Sequence, residues 1–151
     1  MKKLIAALIA CLLLAGCAGS PAKTADLSAV QAALAQSYDL SGMMSLSEDD
    51  LLDMYGIKME DVKQSMALIA RTSTSADEIL LFEGKDKDAA ARLKAQLDKR
   101  YQAKLNEAKD YLPDEYAKIS ACKVMENGNF VSLIVSADAE AMAKIYQDAF
   151  K

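Results

Sequence analysis

Between Leu27 and Tyr38 the apolar side chains Leu27, Val30, Leu34 and Tyr38 recur every three or four residues, while Ser28, Gln31 and Gln36 fall off that stripe. Such spacing lines one side of an α-helix and predicts a first amphipathic helix. Ser47 followed by Asp50 has the spacing of a capping box, with Asp where Glu is usual, and LLDMY then runs to Gly56, a residue suited to a helix C-terminus. A second, short helix is predicted there. Beyond it the period changes. MALIART (Met66 to Thr72) and DEILLFEG (Asp77 to Gly84) are short apolar runs on either side of STSA, the pattern of a β-hairpin with a longer loop.

Asp86 and Asp88 stand where a helix N-terminus favours negative charge. Leu93, Leu97, Tyr101, Leu105, Ala108 and Leu112 then form a long stripe that predicts the longest helix, ended by Pro113. Its other face carries Lys94, Asp98, Lys99, Arg100, Lys104 and Lys109 and reads as a solvated surface. In KVMENGNFVSLIV, Asn127 and Gly128 both tolerate positive φ, which fits a two-residue type I′ turn. That register sets Val124 opposite Val131, Cys122 opposite Leu133 and Ser120 opposite Val135, with the Cys122 thiol against the core as a small hydrophobe. A closing helix follows, with Ala139, Met142, Ile145, Tyr146 and Ala149 on one side.

The elements sum to an α+β domain: a four-stranded, mainly antiparallel sheet built from two hairpins, with helices packed on one face. Two helices precede the sheet, one long helix crosses between the hairpins and one helix closes the chain.

The first residues place this domain. Met1, Lys2 and Lys3 precede LIAALIACLLL (Leu4 to Leu14), a positive tip followed by a short apolar block, which is the layout of a secretory signal peptide. A bilayer-spanning helix needs roughly 20 apolar residues, and this run falls short. Leu14, Ala15, Gly16 and Cys17 match the bacterial lipobox, in which small residues before the cut lead to a cysteine that accepts a diacylglyceryl group. Two acyl chains suffice for stable anchoring. The expected organisation is therefore a signal peptide at 1–16, lipidated Cys17 with a flexible tether at 17–25, and one domain at 26–151. Localisation would be the extracytoplasmic face of the cell membrane.

Cleavage before Cys17 removes 16 of 151 residues and leaves 135, enough for one domain. With Lys2 and Lys3 gone, 16 basic residues remain against 22 acidic ones, a surface that argues against nucleic acid as partner. Of the three cysteines, Cys11 leaves with the leader and Cys17 carries lipid. Cys122 remains as a lone thiol without a disulfide partner.

Candidate chemistry is sparse. The chain contains no His and no Trp, so a Ser or Cys nucleophile would lack its imidazole base. Zinc sites built on His or paired Cys are likewise excluded, and there is no phosphate-cradling glycine loop. Asp86 and Asp88 lack the further oxygens of a calcium loop. Carboxylates remain as Glu48, Asp49 and Asp50, as Asp77 with Glu78, and as Asp114 with Glu115. Helix N-terminal charge accounts for the first group and solvated turns for the other two, although residue type alone leaves a two-carboxylate hydrolase open.

Taken together, the lipobox, MYGI (Met54 to Ile57), SADEILLF (Ser75 to Phe82), LDKRYQAK (Leu97 to Lys104) and KVMENGNFVSLIVS (Lys123 to Ser136) resemble a family of small bacterial lipoproteins. The family is domain of unknown function 4358, found mostly in Gram-positive bacteria, and the resemblance spans roughly Asp26 to Phe150. It implies surface anchoring and no known chemistry, cofactor or metal. The expected role is a non-catalytic binding or interaction module of the envelope. It would touch the membrane through lipid on Cys17 and contact an envelope protein or a small ligand. The alternative is a carboxylate-dependent envelope hydrolase. The helix from Leu27 to Tyr38 is expected to pack on the domain or to dock elsewhere.

Overall fold

A computed structural model describes residues 24–150. Cys17 and the leader lie outside the described residues, so the lipobox expectation rests on sequence. The elements run α1 (Leu27–Ser37), β1 (Met43–Ser45), α2 (Glu48–Tyr55), β2 (Val62–Ala70), β3 (Glu78–Gly84), α3 (Lys87–Tyr111), α4 (Pro113–Ser120), β4 (Val124–Asn127), β5 (Phe130–Val135) and α5 (Ala139–Asp148). The strands form one antiparallel sheet in the order β1-β2-β3-β5-β4.

The sheet has five strands where the pattern predicts four. The added one, β1, pairs Met43 with Ala70 and Ser45 with Leu68 along the outer edge of β2. Three residues are too few to show a period. The long helix breaks at Leu112, and Pro113 opens α4, which runs through Ser120, a residue that the expected hairpin register places on a strand. Proline suits the first position of a helix because its missing N–H would have no intrahelical partner there.

Helices cover both faces of the sheet, which corrects the expectation of one. On the first face α2, α3 and α4 bring Leu51, Tyr55, Leu93, Leu97 and Ile119 against Leu80, Phe82, Val131 and Leu133. On the second, α1 and α5 bring Leu27, Val30, Leu34, Met142 and Tyr146 against Ile79, Leu81, Phe130 and Ile134. Successive strand residues point to opposite faces, and every residue of β3 and β5 is buried. The unalternating runs ILLF and FVSLIV are the sequence expression of that two-sided burial.

The second hairpin slides by two residues from the expected pairing. Asn127 pairs with Phe130 and Val124 with Leu133, so the turn is Gly128-Asn129. Gly128 has φ 62°, and no non-glycine residue among those described has positive φ, the pattern of a type II′ turn, in which only the first central residue is left-handed. A shift of two keeps each side chain on its face. Val124 and Cys122 therefore still point to the first core, while Ser120 ends α4 and faces no strand partner.

Local chemistry fixes the helix starts. Ser47 and Asp50 form the expected reciprocal capping box, and Gly56 closes α2 with φ 65°. Asp86 caps α3 by accepting from the Ala89 N–H at 2.8 Å. At Gly84 a Cβ would lie 2.5 Å from the Ala90 nitrogen, so glycine is what lets α3 start directly on the end of β3. The helix then runs back along that strand. From Ala90 to Lys104 it advances about 21 Å at 1.5 Å per residue, and from Gly84 to Glu78 the strand covers about 20 Å at 3.3 Å per residue.

Candidate functional site

That match of lengths sets the middle of α3 over the start of β3, where Glu78 is buried with 0% exposure. The Tyr55 hydroxyl, at the end of α2, donates to Glu78 Oε1. Arg100 Nε donates to the same carboxylate at 3.1 and 3.3 Å, and its guanidinium lies 5.0 Å from the centre of the Tyr55 ring. Lys104 Nζ stands 3.4 Å from Glu78 Oε2. Arg100 and Lys104 are four apart and share one side of the helix. Two cations thus enclose one carboxylate beneath an aromatic ring.

Two sequence expectations are corrected here. Glu78 lies in a buried strand and not in a solvated turn, and Arg100 and Lys104 turn inward from the face read as solvated. The buried side of α3 continues from Leu97 through Lys104 to Ala108, while Leu105 is only half-buried. Burial pushes the Tyr55 hydroxyl pKa well up, and the adjacent Glu78 charge adds to the rise. Burial also lowers the Lys104 pKa, against the attraction of Glu78.

The neighbouring Asp77 takes a different partner. Lys118 on α4 lies 2.6 Å from Asp77 Oδ1 and 2.7 Å from Glu115 Oε2, and Glu115 also accepts the Ala76 N–H. Burial acts to lower the Lys118 pKa, but the two carboxylates outweigh it and hold it above its usual value. This network ties α4 to the loop between β2 and β3. Asp114 is exposed, so the pair Asp114 and Glu115 does not converge. In the first acidic group, Asp50 serves the capping box, and Asp49 is exposed beside it.

A second buried carboxylate, Glu83, sits on the opposite face of the sheet from Glu78. It is bound by Lys63 at 2.7 Å and by Gln64. Gln64 also accepts the Leu27 N–H at 3.0 Å and donates to the Ala25 carbonyl at 3.1 Å. The start of α1 is thereby pinned to the sheet end formed by Val62 and Gly84. Of the two expectations for this helix, packing on the domain is the arrangement observed.

Two clefts open toward the opposite sheet end. A cleft of about 940 Å³ lies between β4 and α5, lined by Lys123, Met125, Ala143, Lys144 and Gln147 among others. A second, of about 530 Å³, is lined by Tyr38, Met43, Asp77, Ser136 and Met142. Cys122 borders the larger cleft, yet its side chain is buried and its Sγ lies 3.2 Å from the Lys118 carbonyl. Burial raises its pKa. Among the described residues, no three His, Cys, Asp or Glu side chains gather closely enough to hold a metal ion, and no helix is long and apolar enough to cross a membrane.

The fold is that of a small α+β domain whose ionisable groups tie helices to a sheet buried on both faces. Its family follows from comparison: residues 36–136 match the model described as Domain of unknown function (DUF4358), and the chain belongs to that family. No curated protein and no solved structure matches it. The matched stretch runs from the last turn of α1 to the residue after β5, so it contains Glu78, Arg100 and Lys104 but not α5.

Proposed function

We propose that this protein is a lipid-anchored, extracytoplasmic binding module of the bacterial envelope without catalytic activity. The anchor is Cys17, after the lipobox residues Leu14, Ala15 and Gly16. One observation carries the non-catalytic reading: the two buried carboxylates face opposite sides of the sheet and each is held by basic or amide side chains. Glu78 and Glu83 are about 16 Å apart along the strand at 3.3 Å per residue. Carboxylates that share a glycosidic bond stand roughly 5 to 9.5 Å apart with a substrate between them. The two clefts, one at the Glu78 end of the sheet and one between β4 and α5, are lined by neither buried carboxylate, and they suit recognition.

The test is incubation of the purified lipidated chain with peptidoglycan and teichoic polymers, followed by product analysis. The reading predicts no turnover. Hydrolysis that disappears in Asp77→Asn or Glu115→Gln would contradict it and turn the protein into an envelope hydrolase.

A further inference from the structure

Strand β4 is an edge of the sheet. In an antiparallel ladder, successive residues aim their N–H and C=O groups to opposite sides. The Asn129 carbonyl accepts from Gly84 on the β3 side at 2.8 Å, which turns Phe130 and Ser132 toward their partners Asn127 and Met125 on β4. Val124 and Glu126 therefore aim their backbone groups outward, and no hydrogen bond among the described residues reaches them. Such a row is a template for another strand. The opposite edge is less open: β1 has three residues, and the Met43 N–H is already taken by the Leu40 carbonyl at 3.0 Å.

Beside the β4 edge lies the cleft of about 940 Å³ under α5. Helix α5 runs back toward the hairpin turn, where Phe150 meets Phe130. Exposed Lys123 and Glu140 thus stand at the end of the cleft away from the turn, with Lys144 and Asp148 nearer the turn. Lys144 and Asp148 pair at 2.6 Å.

We propose that β4 pairs with β4 of a second copy of this chain, giving a two-fold dimer with one continuous sheet. An axis through Met125 joins Val124 of each copy to Glu126 of the other, N–H to C=O in both directions, so every outward group of the strand is satisfied. The same patch meets itself, as a two-fold interface requires. Because the strands run in opposite directions, the turn end of one cleft meets the far end of the other. That sets Lys123 toward the second copy's Asp148 and Glu140 toward its Lys144, extending the exposed Lys144 and Asp148 pair into a row of alternating charge. The axis crosses the sheet, so both copies keep α1 on one side. Ala25 packs in the core of that side, and one bilayer could hold both tethers. The pairing goes beyond the binding-module reading and does not need the anchor.

Met125→Cys is introduced into the full chain in its own cell, with Met44→Cys on β1 as a control, and copper phenanthroline is added. Residues facing each other across the axis stand about 4.5 Å apart at Cα, within disulfide reach. The proposal predicts a reducible band at twice the chain mass from Met125→Cys, while Met44→Cys and the native chain stay single. Adding Glu126→Pro removes an outward N–H without costing the single copy a ladder bond, and should lower the linked fraction about tenfold. If circular dichroism shows that variant misfolded, Lys123→Glu, which meets Asp148 with a like charge, reads the same loss. A chain that stays single, a band indifferent to these changes, or a link to a different protein would overturn the pairing. Linked chain in the soluble fraction would support the pairing and contradict the anchor.

Discussion

The two faces of the sheet are built by different means. The first, under α2, α3 and α4, buries a carboxylate, an ammonium and a phenol and half-buries a guanidinium, and pairs them with one another. The second, under α1 and α5, is apolar over its middle, with Phe150 set edge-on to Phe130 at 4.9 Å and to Tyr146 at 5.0 Å between ring centres, and keeps its buried carboxylate, Glu83, at one sheet end, where Lys63 and Gln64 hold it. Two buried polar atoms of the described residues, Ser132 Oγ and Tyr146 OH, have no hydrogen-bond partner. The contrast teaches where specificity sits. A buried charge group tolerates one arrangement of α2, α3 and β3, whereas an apolar layer accepts small shifts at little cost. The face with the ionic group also lies wholly within the family match, while α5 on the other face lies outside it.

Substitutions can break this contrast. Glu78→Ala leaves buried Lys104 and half-buried Arg100 without their counter-charge and is expected to cost about 3 to 5 kcal/mol in urea unfolding. A loss under about 1 kcal/mol would mean that water already reaches the group. On the apolar face, Leu34→Ala should cost about 2 to 5 kcal/mol through its cavity. Gly84→Ala should cost about 1 to 3 kcal/mol, because the new methyl meets the Ala90 backbone.

The hydroxyl groups give the sharper test. Tyr55→Phe removes a donor to buried Glu78 and should destabilise by about 1 to 3 kcal/mol, whereas Tyr146→Phe and Ser132→Ala should be neutral or slightly stabilising. Alkaline titration separates them again. Both tyrosines have folded pKa values above the ordinary value of 10.0, burial being the first cause in each. A raised folded pKa means that the contribution is whole below the unfolded value and is lost as the pH rises further, since the unfolded chain ionises first. Lys104 acts oppositely, because its folded pKa is lowered from 10.5 and its cost to stability fades as the pH climbs toward that value. Thermal midpoints followed above the ordinary tyrosine pKa of about 10 should therefore fall in the native chain and fall less steeply in Tyr146→Phe. The smallest effect is kinetic: a thiol reagent should label Cys122 slowly until denaturant is added.

The elements with a long period or strong caps are legible in the sequence. The stripe of α1, the Ser47 and Asp50 capping box, the Asp86 N-terminus and the first hairpin are present where the chain pattern puts them, and the second hairpin is present with its pairing shifted by two residues. What escapes is of two kinds. Met43–Ser45 and Pro113–Ser120 are too short for a period to emerge, and the latter hides behind a proline that can end one helix and start another. The ionic group escapes because charged residues on a helix are usually solvated. Only the spacing of Leu93, Leu97, Lys104 and Ala108, joined with the single carboxylate heading an apolar strand, points to it. The two-sided burial is readable in the unbroken apolar runs of β3 and β5.

The anchored module stands or falls on where the chain is held. Membrane and soluble fractions from cells carrying the native chain or Cys17→Ser, with the mature N-terminus read by mass spectrometry, test this most directly. The predicted result is a diacylglyceryl group on Cys17 and a membrane-bound native chain. The Cys17→Ser chain should be released or left unprocessed. A Cys17→Ser chain that remains membrane-bound with a normal cut would contradict the anchor and the module built upon it.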